Sequence, residues 1–303
     1  MTPPMNRRRV LLLSGAAGLA AIACGVPVIN AANSNAKPQW VPPQPRPAPE
    51  GSTEPEPAVS TLSETLDISK LDPAKIVSIT ASGWHSWALL DRGTGAILGS
   101  ANAAETNRAC SMIKSWVAAD YLRQKPSPSA TALADIEIMI RDSDSVSADR
   151  LMDQIGRSAS FKRLQDLCKT TEFTPIASWS RAEISARDMV RAGEAIGRGA
   201  IANDRWTDHL LTLMRTVRRG TWGIRDAFPA DARPAIAVKN GWDITAEDGT
   251  RHINCLAIHD RWVMVALTRY PASLKAGDAH GQGICKSVAE QLLNSGELRP
   301  LFA

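Results

Sequence analysis

The chain has 303 residues, 44% of them hydrophobic and 22% charged, and its net charge is +4. This length and composition suit one globular domain with a large core, and no internal repeat is apparent. A small net charge of mixed sign gives no reason to expect nucleic acid as a partner.

The first 23 residues have the pattern of an export signal. Arg7-Arg8-Arg9 come before a mostly apolar run from Val10 to Ala23, which is too short to span a bilayer comfortably. The arginines followed by Val10-Leu11-Leu12 resemble a twin-arginine signal. We therefore exclude residues 1–23 from the fold and expect an exported protein, either extracellular or anchored in a bacterial cell envelope.

The end of this leader leaves three outcomes open. Ala21-Ile22-Ala23 fits cleavage by an ordinary signal peptidase, whereas the small residue before Cys24 fits attachment of a lipid to Cys24. A leader that is never cut would act as an N-terminal membrane anchor.

Residues 24–60 read as a linker dominated by Pro, Glu, Gln and Ala. Such a segment buries too little apolar surface to offset its ordering entropy, and its prolines favour an extended chain. It is either a semi-rigid tether or a tail with no role beyond spacing. The closely spaced prolines are Pro42, Pro43, Pro45, Pro47 and Pro49.

The domain itself, residues 61–303, begins with a predicted β-hairpin and continues with helices. Trp84 to Asp91 and Ala96 to Leu98 flank the turn residues Arg92-Gly-Thr-Gly95. Residues 111–220 read as mostly helical. Within them, Ser185-Ala-Arg-Asp188 has the form of a capping box that begins a helix.

One helix of this block is predicted to end at Gly220, which is placed as its C-terminal cap. The basic run from Arg215 to Arg219 is interpreted as the solvated end of that helix, where cations suit the helix dipole. The apolar stripe of this helix consists of Trp206, Leu210, Leu213 and Val217.

After Gly220 the hydrophobic period changes from that of helices to that of strands. Residues 235–242, 251–258 and 261–269 predict three consecutive antiparallel strands, and a last helix spans about 282–293. Strands, a helical block, further strands and a closing helix predict an α+β chain in which both ends contribute to one antiparallel sheet.

Ser111 and Lys114 begin the helical block and form a Ser-x-x-Lys pattern. On a helix these two side chains share one face, so the amine can reach the hydroxyl. A serine hydroxyl is a weak nucleophile, but a desolvated lysine beside another cation loses much of its preference for its proton and can accept one from serine.

Two further motifs follow in order. Ser143-Asp144-Ser145 comes at the end of an apolar run and is followed by a helical pattern, and Lys239-Asn240-Gly241 lies on a predicted strand. Together with Ser111 and Lys114 they resemble the signature of the class A β-lactamase and penicillin-binding protein superfamily, which is Ser-x-x-Lys, Ser-Asp-Asn and Lys-Thr-Gly.

The resemblance implies a β-lactamase/transpeptidase-like fold, with an antiparallel sheet, a helical subdomain and flanking N- and C-terminal elements. It implies a serine hydrolase without a cofactor that acts on β-lactams or on the D-alanyl-D-alanine ends of peptidoglycan stem peptides. We expect a monomer.

The resemblance also implies a role for each motif residue. Ser111 attacks a carbonyl to form an acyl-enzyme, with Lys114 as the nearest base and Ser143 as a proton relay. Lys239 attracts a substrate carboxylate and lowers the pKa of Lys114. The backbone N–H groups of Ser111 and Trp242 hold the oxyanion. The remaining substrate-binding residues are Ser145, Asn240, Gly241 and Trp242.

Departures from the family pattern favour slow deacylation. Asn240 replaces the usual Thr, and Ser145 replaces the usual Asn. The interval 168–184 holds Glu172 and Glu183 but no Glu-x-x-x-Asn that resembles the loop activating the deacylating water. The alternative is a catalytically weak or inactive cell-envelope binding protein that keeps the fold, with the serines as helix caps and the lysines as surface charges.

Four cysteines remain when Cys24 is set aside, an even number in an exported chain. Cys255 on a predicted strand and Cys285 on the closing helix can meet, so a disulfide between them is one hypothesis. Cys110 is interpreted as a small buried residue, and no pairing is assigned to Cys168.

The histidines show no metal-ligand spacing, so we expect no metal site. No Gly-x-Ser-x-Gly elbow occurs, which argues against an α/β-hydrolase. The five histidines are His85, His209, His252, His259 and His280.

Overall fold

In the computed structural model, which describes residues 66–245 and 248–303, the predicted hairpin is formed by strands β1 (Trp84–Asp91) and β2 (Ile97–Gly99). The two strands pair antiparallel, with Leu89 opposite Leu98. The Asp91 carboxylate closes the turn by accepting the Gly93 N–H at 2.8 Å. The predicted leader and linker, including Cys24, lie outside the described residues.

The three predicted C-terminal strands are confirmed as β5 (Ala237–Thr245), β6 (Thr250–Ile258) and β7 (Trp262–Pro271). They join the hairpin in one antiparallel sheet of order β2-β1-β7-β6-β5. The two ends of the domain therefore share a sheet, as the sequence predicts, and β5 lies at its edge.

Alternating side chains of the sheet face two separate hydrophobic cores. Ala88 and Leu90 pack in the larger core against helices α2 (Lys114–Gln124), α3 (Ala130–Arg141), α4 (Ser145–Ile155), α5 (Arg157–Cys168), α6 (Ala186–Gly197) and α7 (Asp204–Arg215). Trp87 and Leu89 pack in the smaller core with α1 (Pro73–Ile76), α8 (Asp278–Asn294) and α9 (Arg299–Phe302). Among the described residues, no helix has both the length and the hydropathy needed to cross a membrane.

The sequence did not predict a small second sheet, in which β3 (Thr106–Arg108) pairs with β4 (Glu183–Ser185). Each strand has three residues, which is too short to show a period of two. This pairing ties the segment before Ser111 to the start of α6.

The predicted end of α7 at Gly220 is wrong. The helix ends at Arg215, where Thr216 turns its hydroxyl back to the Thr212 carbonyl at 2.8 Å. The N–H groups of Arg218 and Arg219 instead donate to the Arg141 carbonyl at the end of α3, at 2.7 and 3.0 Å. The helix ends early because the Arg141 carbonyl accepts the backbone N–H groups of Arg218 and Arg219.

The predicted capping box at α6 is half formed. The Ser185 hydroxyl accepts the Asp188 N–H at 3.0 Å, as expected of an N-cap. The Asp188 carboxylate does not return the bond, because it accepts the N–H groups of Thr171, Glu172 and Phe173 in the loop after α5. Asp188 therefore fixes the start of a loop that reaches the site described below.

Two glycines of α8 provide a test of how this helix packs on the sheet. A Cβ at Gly281 would lie 2.5 Å from the Ile253 Cβ, whereas a Cβ at Gly283 would meet nothing within 4 Å. We expect Gly281→Ala to lower the free energy of unfolding by about 1–3 kcal/mol through overpacking. Gly283→Ala, the matched control, should raise it by up to about 1 kcal/mol because alanine favours helix. Urea denaturation measures both, and equal effects would contradict the packing described.

Candidate active site

Ser111 lies in a 3-10 helix, Cys110–Ile113, that leads directly into α2. The predicted α-helix therefore begins at Lys114 rather than at Ser111. With three residues per turn, a 3-10 helix aligns positions i and i+3, so Ser111 and Lys114 still project to the same side. Ser111 is partly exposed, and the preceding Cys110 has a φ of 49° in the left-handed region.

Gly241 on β5 packs directly against the backbone of this turn. A Cβ at Gly241 would lie 2.6 Å from the Ala109 carbonyl oxygen, 2.7 Å from the Met112 nitrogen and 2.9 Å from the Ser111 nitrogen. Only glycine allows this approach without a shift of the backbone. The contact places the Ser111 N–H beside the strand that carries Lys239 and Trp242.

A buried polar network holds the segment before Ser111 on the sheet. The Asn254 amide of β6 donates to the Arg108 carbonyl at 2.7 Å, and the Asn107 amide donates to the Asn254 side-chain oxygen at 3.2 Å. His252 bonds the Asn107 oxygen through Nδ1 at 2.8 Å. Burial lowers the pKa of His252 to about 4, so its ring is neutral at pH 7. Sequence reasoning missed these residues because each is polar at a position where a core residue is expected.

Lys114 is fully buried, and its ammonium faces the Ser143 loop. Its Nζ donates to the Ser143 carbonyl at 2.7 Å and to the Ser145 hydroxyl at 3.2 Å, and it lies 4.5 Å from the centre of the Trp179 ring. Burial lowers the pKa of Lys114 to about 8, although Asp144 and Asp149 act in the opposite direction. Lys114 is therefore closer to losing its proton at neutral pH than an exposed lysine is.

Lys239 comes to the same loop from the sheet. Its Nζ donates to the Ser143 hydroxyl at 3.0 Å and to the Asn240 carbonyl at 3.1 Å. Complete burial, with Lys114 and Arg219 nearby, holds the pKa of Lys239 well below its usual range. Ser143 has a φ of 62°, and this left-handed backbone turns its carbonyl to one lysine and its hydroxyl to the other.

Asn240 and Trp242 point to the opposite face of β5 from Lys239 and Gly241, since successive residues of a strand alternate. The Asn240 amide is buried and donates to the carbonyls of Gly220 and Trp222 at 2.9 and 2.5 Å. It supports the loop beside β5 and does not face Ser143. The partly exposed Trp242 ring packs against Trp222, with 5.9 Å between ring centres.

Arg219 is a neighbour of the site that the sequence placed at a solvated helix end. Its guanidinium lies 5.8 Å from the centre of the Trp242 ring, and its charge contributes to the low pKa of both Lys114 and Lys239. Within the described part of the chain, none of these three cations forms an ion pair with a carboxylate. The contacts place the side chains of Lys114, Ser143, Ser145 and Lys239 together, with Arg219 nearby. Gly241 places the Ser111 backbone beside the strand that carries Lys239.

The two glutamates of the interval 168–184 already have partners. Glu172 pairs with Arg187 and accepts the Ser185 hydroxyl at 3.0 Å, and the exposed Glu183 accepts the Thr106 hydroxyl at 3.3 Å. Asp144 caps α4 by accepting the Ser147 N–H at 2.7 Å. Each of these three carboxylates therefore already has partners outside the cleft.

The structure brings Cys255 and Cys285 together as free, fully buried thiols. A Cβ at Gly223 would lie 2.4 Å from the Cys255 Sγ and 3.3 Å from the Cys285 Cβ, so both side chains meet beneath this glycine. The predicted meeting is confirmed, but the structure contains no disulfide between them. Over residues 66–245 and 248–303, no cluster of His, Cys, Asp and Glu side chains is arranged to hold a metal ion.

Residues 123–295, more than half of the chain, match the family Beta-lactamase2, described as the beta-lactamase enzyme family. The matched range begins after Lys114 and includes Ser143 and Lys239. No curated protein matches the sequence.

Solved structures show the same fold. A class A β-lactamase from Mycobacterium abscessus is 18% identical over 76% of this chain and 97% of its own, with a TM-score of 0.56. A β-lactamase from Xanthomonas campestris is 17% identical over 76% and 96%, with a TM-score of 0.58. One from Chitinophaga pinensis is 16% identical over 73% and 96%, with a TM-score of 0.59.

The low pKa of Lys114 predicts a pH-dependent cost to stability. Below about pH 8 the lysine is charged in both the folded and the unfolded chain, so the full cost of the buried cation is present. Between this value and the unfolded pKa of 10.5 the unfolded chain binds more protons, so stability rises with pH.

We therefore expect Lys114→Met to raise the free energy of unfolding by about 1–3 kcal/mol at pH 7, and the gain to disappear towards pH 10.5. Lys125→Met, an exposed lysine at the other end of α2, is the matched control and should change stability little. Chemical denaturation at a series of pH values from about 6 to about 10 measures the stability of both variants. A gain that is independent of pH would contradict a charged Lys114.

Proposed function

The chain belongs to the β-lactamase enzyme family, and from this premise we propose that it is an exported serine acyl-transfer enzyme of the β-lactamase and penicillin-binding type. In this proposal Ser111 forms an acyl ester with a β-lactam or with a D-alanyl-D-alanine end of peptidoglycan, and the ester hydrolyses slowly. The observation that carries the proposal is that Lys114 and Lys239 both donate to Ser143, with Arg219 nearby and none of the three in an ion pair among the described residues. Gly241, on the strand that carries Lys239, packs against the backbone of the partly exposed Ser111.

Acylation follows from the two lysines and Ser143. The Ser111 oxygen attacks the substrate carbonyl carbon and loses its proton to the neutral Lys114 amine. The Ser143 hydroxyl, which accepts a hydrogen bond from Lys239, passes its proton to the substrate nitrogen as the carbon–nitrogen bond breaks and takes a proton from Lys239 in exchange. The products are an ester on Ser111 and a released or ring-opened amine.

The oxyanion formed in this step requires two donors. We assign them to the backbone N–H groups of Ser111 and Trp242. The close contact of Gly241 with the Ser111 nitrogen supports this assignment, because it brings the two segments side by side. Loss of one such donor typically costs a factor of about one hundred or more in rate.

The positive charge of the site supports a substrate that carries a carboxylate. Both β-lactams and D-alanyl-D-alanine peptides have one, and its charge would offset the mutual repulsion of Lys239 and Arg219. Arg219 is exposed, so it can meet the substrate before the deeper Lys239 does.

Slow deacylation is supported by the carboxylates around the site. Glu172, Glu183 and Asp144 are engaged with other groups, and Asp149 is bound by Arg157 and by the Trp179 indole. Water needs a base to attack the ester at neutral pH. Because each of these four carboxylates is already engaged, we expect the ester to outlive the acylation step.

One observation favours the alternative of a catalytically inactive cell-envelope binding protein. The Lys114 ammonium donates to the Ser143 carbonyl and the Ser145 hydroxyl, and no hydrogen bond joins it to Ser111 in the described residues. Ligand-free enzymes often have loose catalytic hydrogen bonds, so the proposed acylation does not require this bond in the unbound protein. Export, with or without a lipid on Cys24, is proposed from the leader sequence alone.

Labelling with a fluorescent penicillin tests the proposed reaction. We expect stable covalent labelling of the purified domain and none of Ser111→Ala, because the ester requires that hydroxyl. Ser287→Ala, a partly exposed serine on α8, is the matched control and should label normally. Rapid turnover of a chromogenic cephalosporin would contradict slow deacylation, and a folded protein that never labels would support the binding alternative.

Substitution of Arg219 tests the proposed recognition of a carboxylate. Arg219→Gln should lower the second-order rate of acylation by about tenfold to a hundredfold, with a weaker dependence on salt than the wild type shows. Arg205→Gln is the matched control, since Arg205 is also exposed and also lies over a tryptophan, at 4.5 Å from the Trp206 ring. Equal acylation rates for both variants across salt concentrations would argue against a role for Arg219.

A further inference from the structure

Trp179 lies beneath the Lys114 ammonium on the loop between α5 and β4. This loop is attached to the segment that leads into the 3-10 helix of Ser111, because the Ala109 N–H donates to the Ala182 carbonyl at 2.8 Å. Trp179 is only 8% exposed, and its ring centre is 4.5 Å from the Lys114 Nζ. The indole N–H donates to the Asp149 carboxylate at 3.1 Å, which in turn accepts Arg157 at 2.9 Å.

We propose that Trp179 is a positioning residue whose indole face holds the Lys114 amine beneath Ser143 and closes the floor of the cleft to water. This inference rests on the proposed function, because the position of Lys114 matters to the reaction only if Ser111 is acylated. Asp149 and Arg157 fix the angle of the ring.

The physical reason lies in what a buried ammonium requires. Lys114 has two hydrogen-bond acceptors, the Ser143 carbonyl and the Ser145 hydroxyl, and no carboxylate in an ion pair with it among the described residues. A carboxylate on its remaining side would stabilise the charge and raise the pKa of the amine, which would keep it protonated at neutral pH. An aromatic face attracts the ammonium through its π electrons and fixes its position without accepting a proton.

Several charged groups act on Lys114 from the surrounding elements. Asp144, which caps α4, and Asp149 on α4 raise its pKa, and Arg219 after α7 lowers it. Lys239 on β5 is a further cation nearby, and Cys110 precedes the nucleophile on the 3-10 helix. Trp179 contacts Lys114 and one of these groups, because its ring centre lies 4.5 Å from the Lys114 Nζ and its indole N–H donates to Asp149. Removing its face while keeping the site apolar should therefore destabilise the protonated amine.

The test compares Trp179→Phe with Trp179→Leu. Phe retains an aromatic face, whereas Leu retains only apolar volume. We expect Trp179→Leu to lower the titration midpoint of Lys114 from about 8 by about one pH unit. Trp179→Phe should leave the midpoint close to the wild-type value. The ¹³Cε NMR signal of Lys114, assigned with Lys114→Arg, reports this titration, and the pH profile of penicillin acylation should shift with it.

Trp206→Leu is the matched control. Trp206 is equally buried, has a cation 4.5 Å from its ring and bonds through its indole N–H, but it contacts Pro126 beyond the far end of α2. This control should leave the Lys114 midpoint unchanged. A Trp179→Leu profile that superimposes on the wild-type profile would overturn the proposal.

Two further experiments distinguish a failure of this inference from misfolding of the variant and from a failure of the proposed function. If Trp179→Leu does not fold, biosynthetic replacement of tryptophan by increasingly fluorinated tryptophans weakens the π face without changing its shape. The Lys114 midpoint should then fall stepwise with fluorine content, and a constant midpoint would refute the role. If the wild type is never acylated, the proposed function fails, whereas the NMR titration still tests Trp179.

Discussion

The site depends on one close contact between backbones, that of Gly241 on β5 with the 3-10 helix that carries Ser111. The sheet and the helical block approach so closely there that no side chain fits between them. Because Lys239 precedes this glycine by two residues, the same contact places its amine against the Ser143 loop. Asn254 and Asn107 support the arrangement from behind by fixing the segment that leads into the turn.

The buried cations explain why the surrounding structure is so polar. Lys114 and Lys239 would each be costly in an apolar core, and each donates to one oxygen of Ser143 and to one oxygen of another residue. The left-handed backbone of Ser143 makes this double contact possible, and the cap of α4 by Asp144 stabilises the loop in that conformation. Two cations so close to each other leave a local excess of positive charge, which Asp144 and Asp149 offset in part at Lys114.

The sequence predicted the parts of the fold that follow from local pattern. The hairpin, the three C-terminal strands, the helical block and the membership of both chain ends in one sheet were all predicted correctly, because each has a clear hydrophobic period. The motif residues Ser143 and Lys239 were found through their order along the chain. Trp179 and Arg219 were not assigned to the site, because a tryptophan reads as core and an arginine run reads as a helix end. Their proximity to the two lysines depends on tertiary contacts, such as the Arg141 carbonyl that ends α7 early, and such contacts leave no local signal.

The two thiols beneath Gly223 have a consequence for the order of events during maturation. Cys255 and Cys285 are sealed between β6 and α8, so an oxidant in the surroundings cannot reach either sulfur while the helix is docked. Access requires α8 to lift away, a partial unfolding that a well-packed core makes rare. The oxidation state of this pair is therefore set while the chain is still folding, and it does not change after α8 has docked.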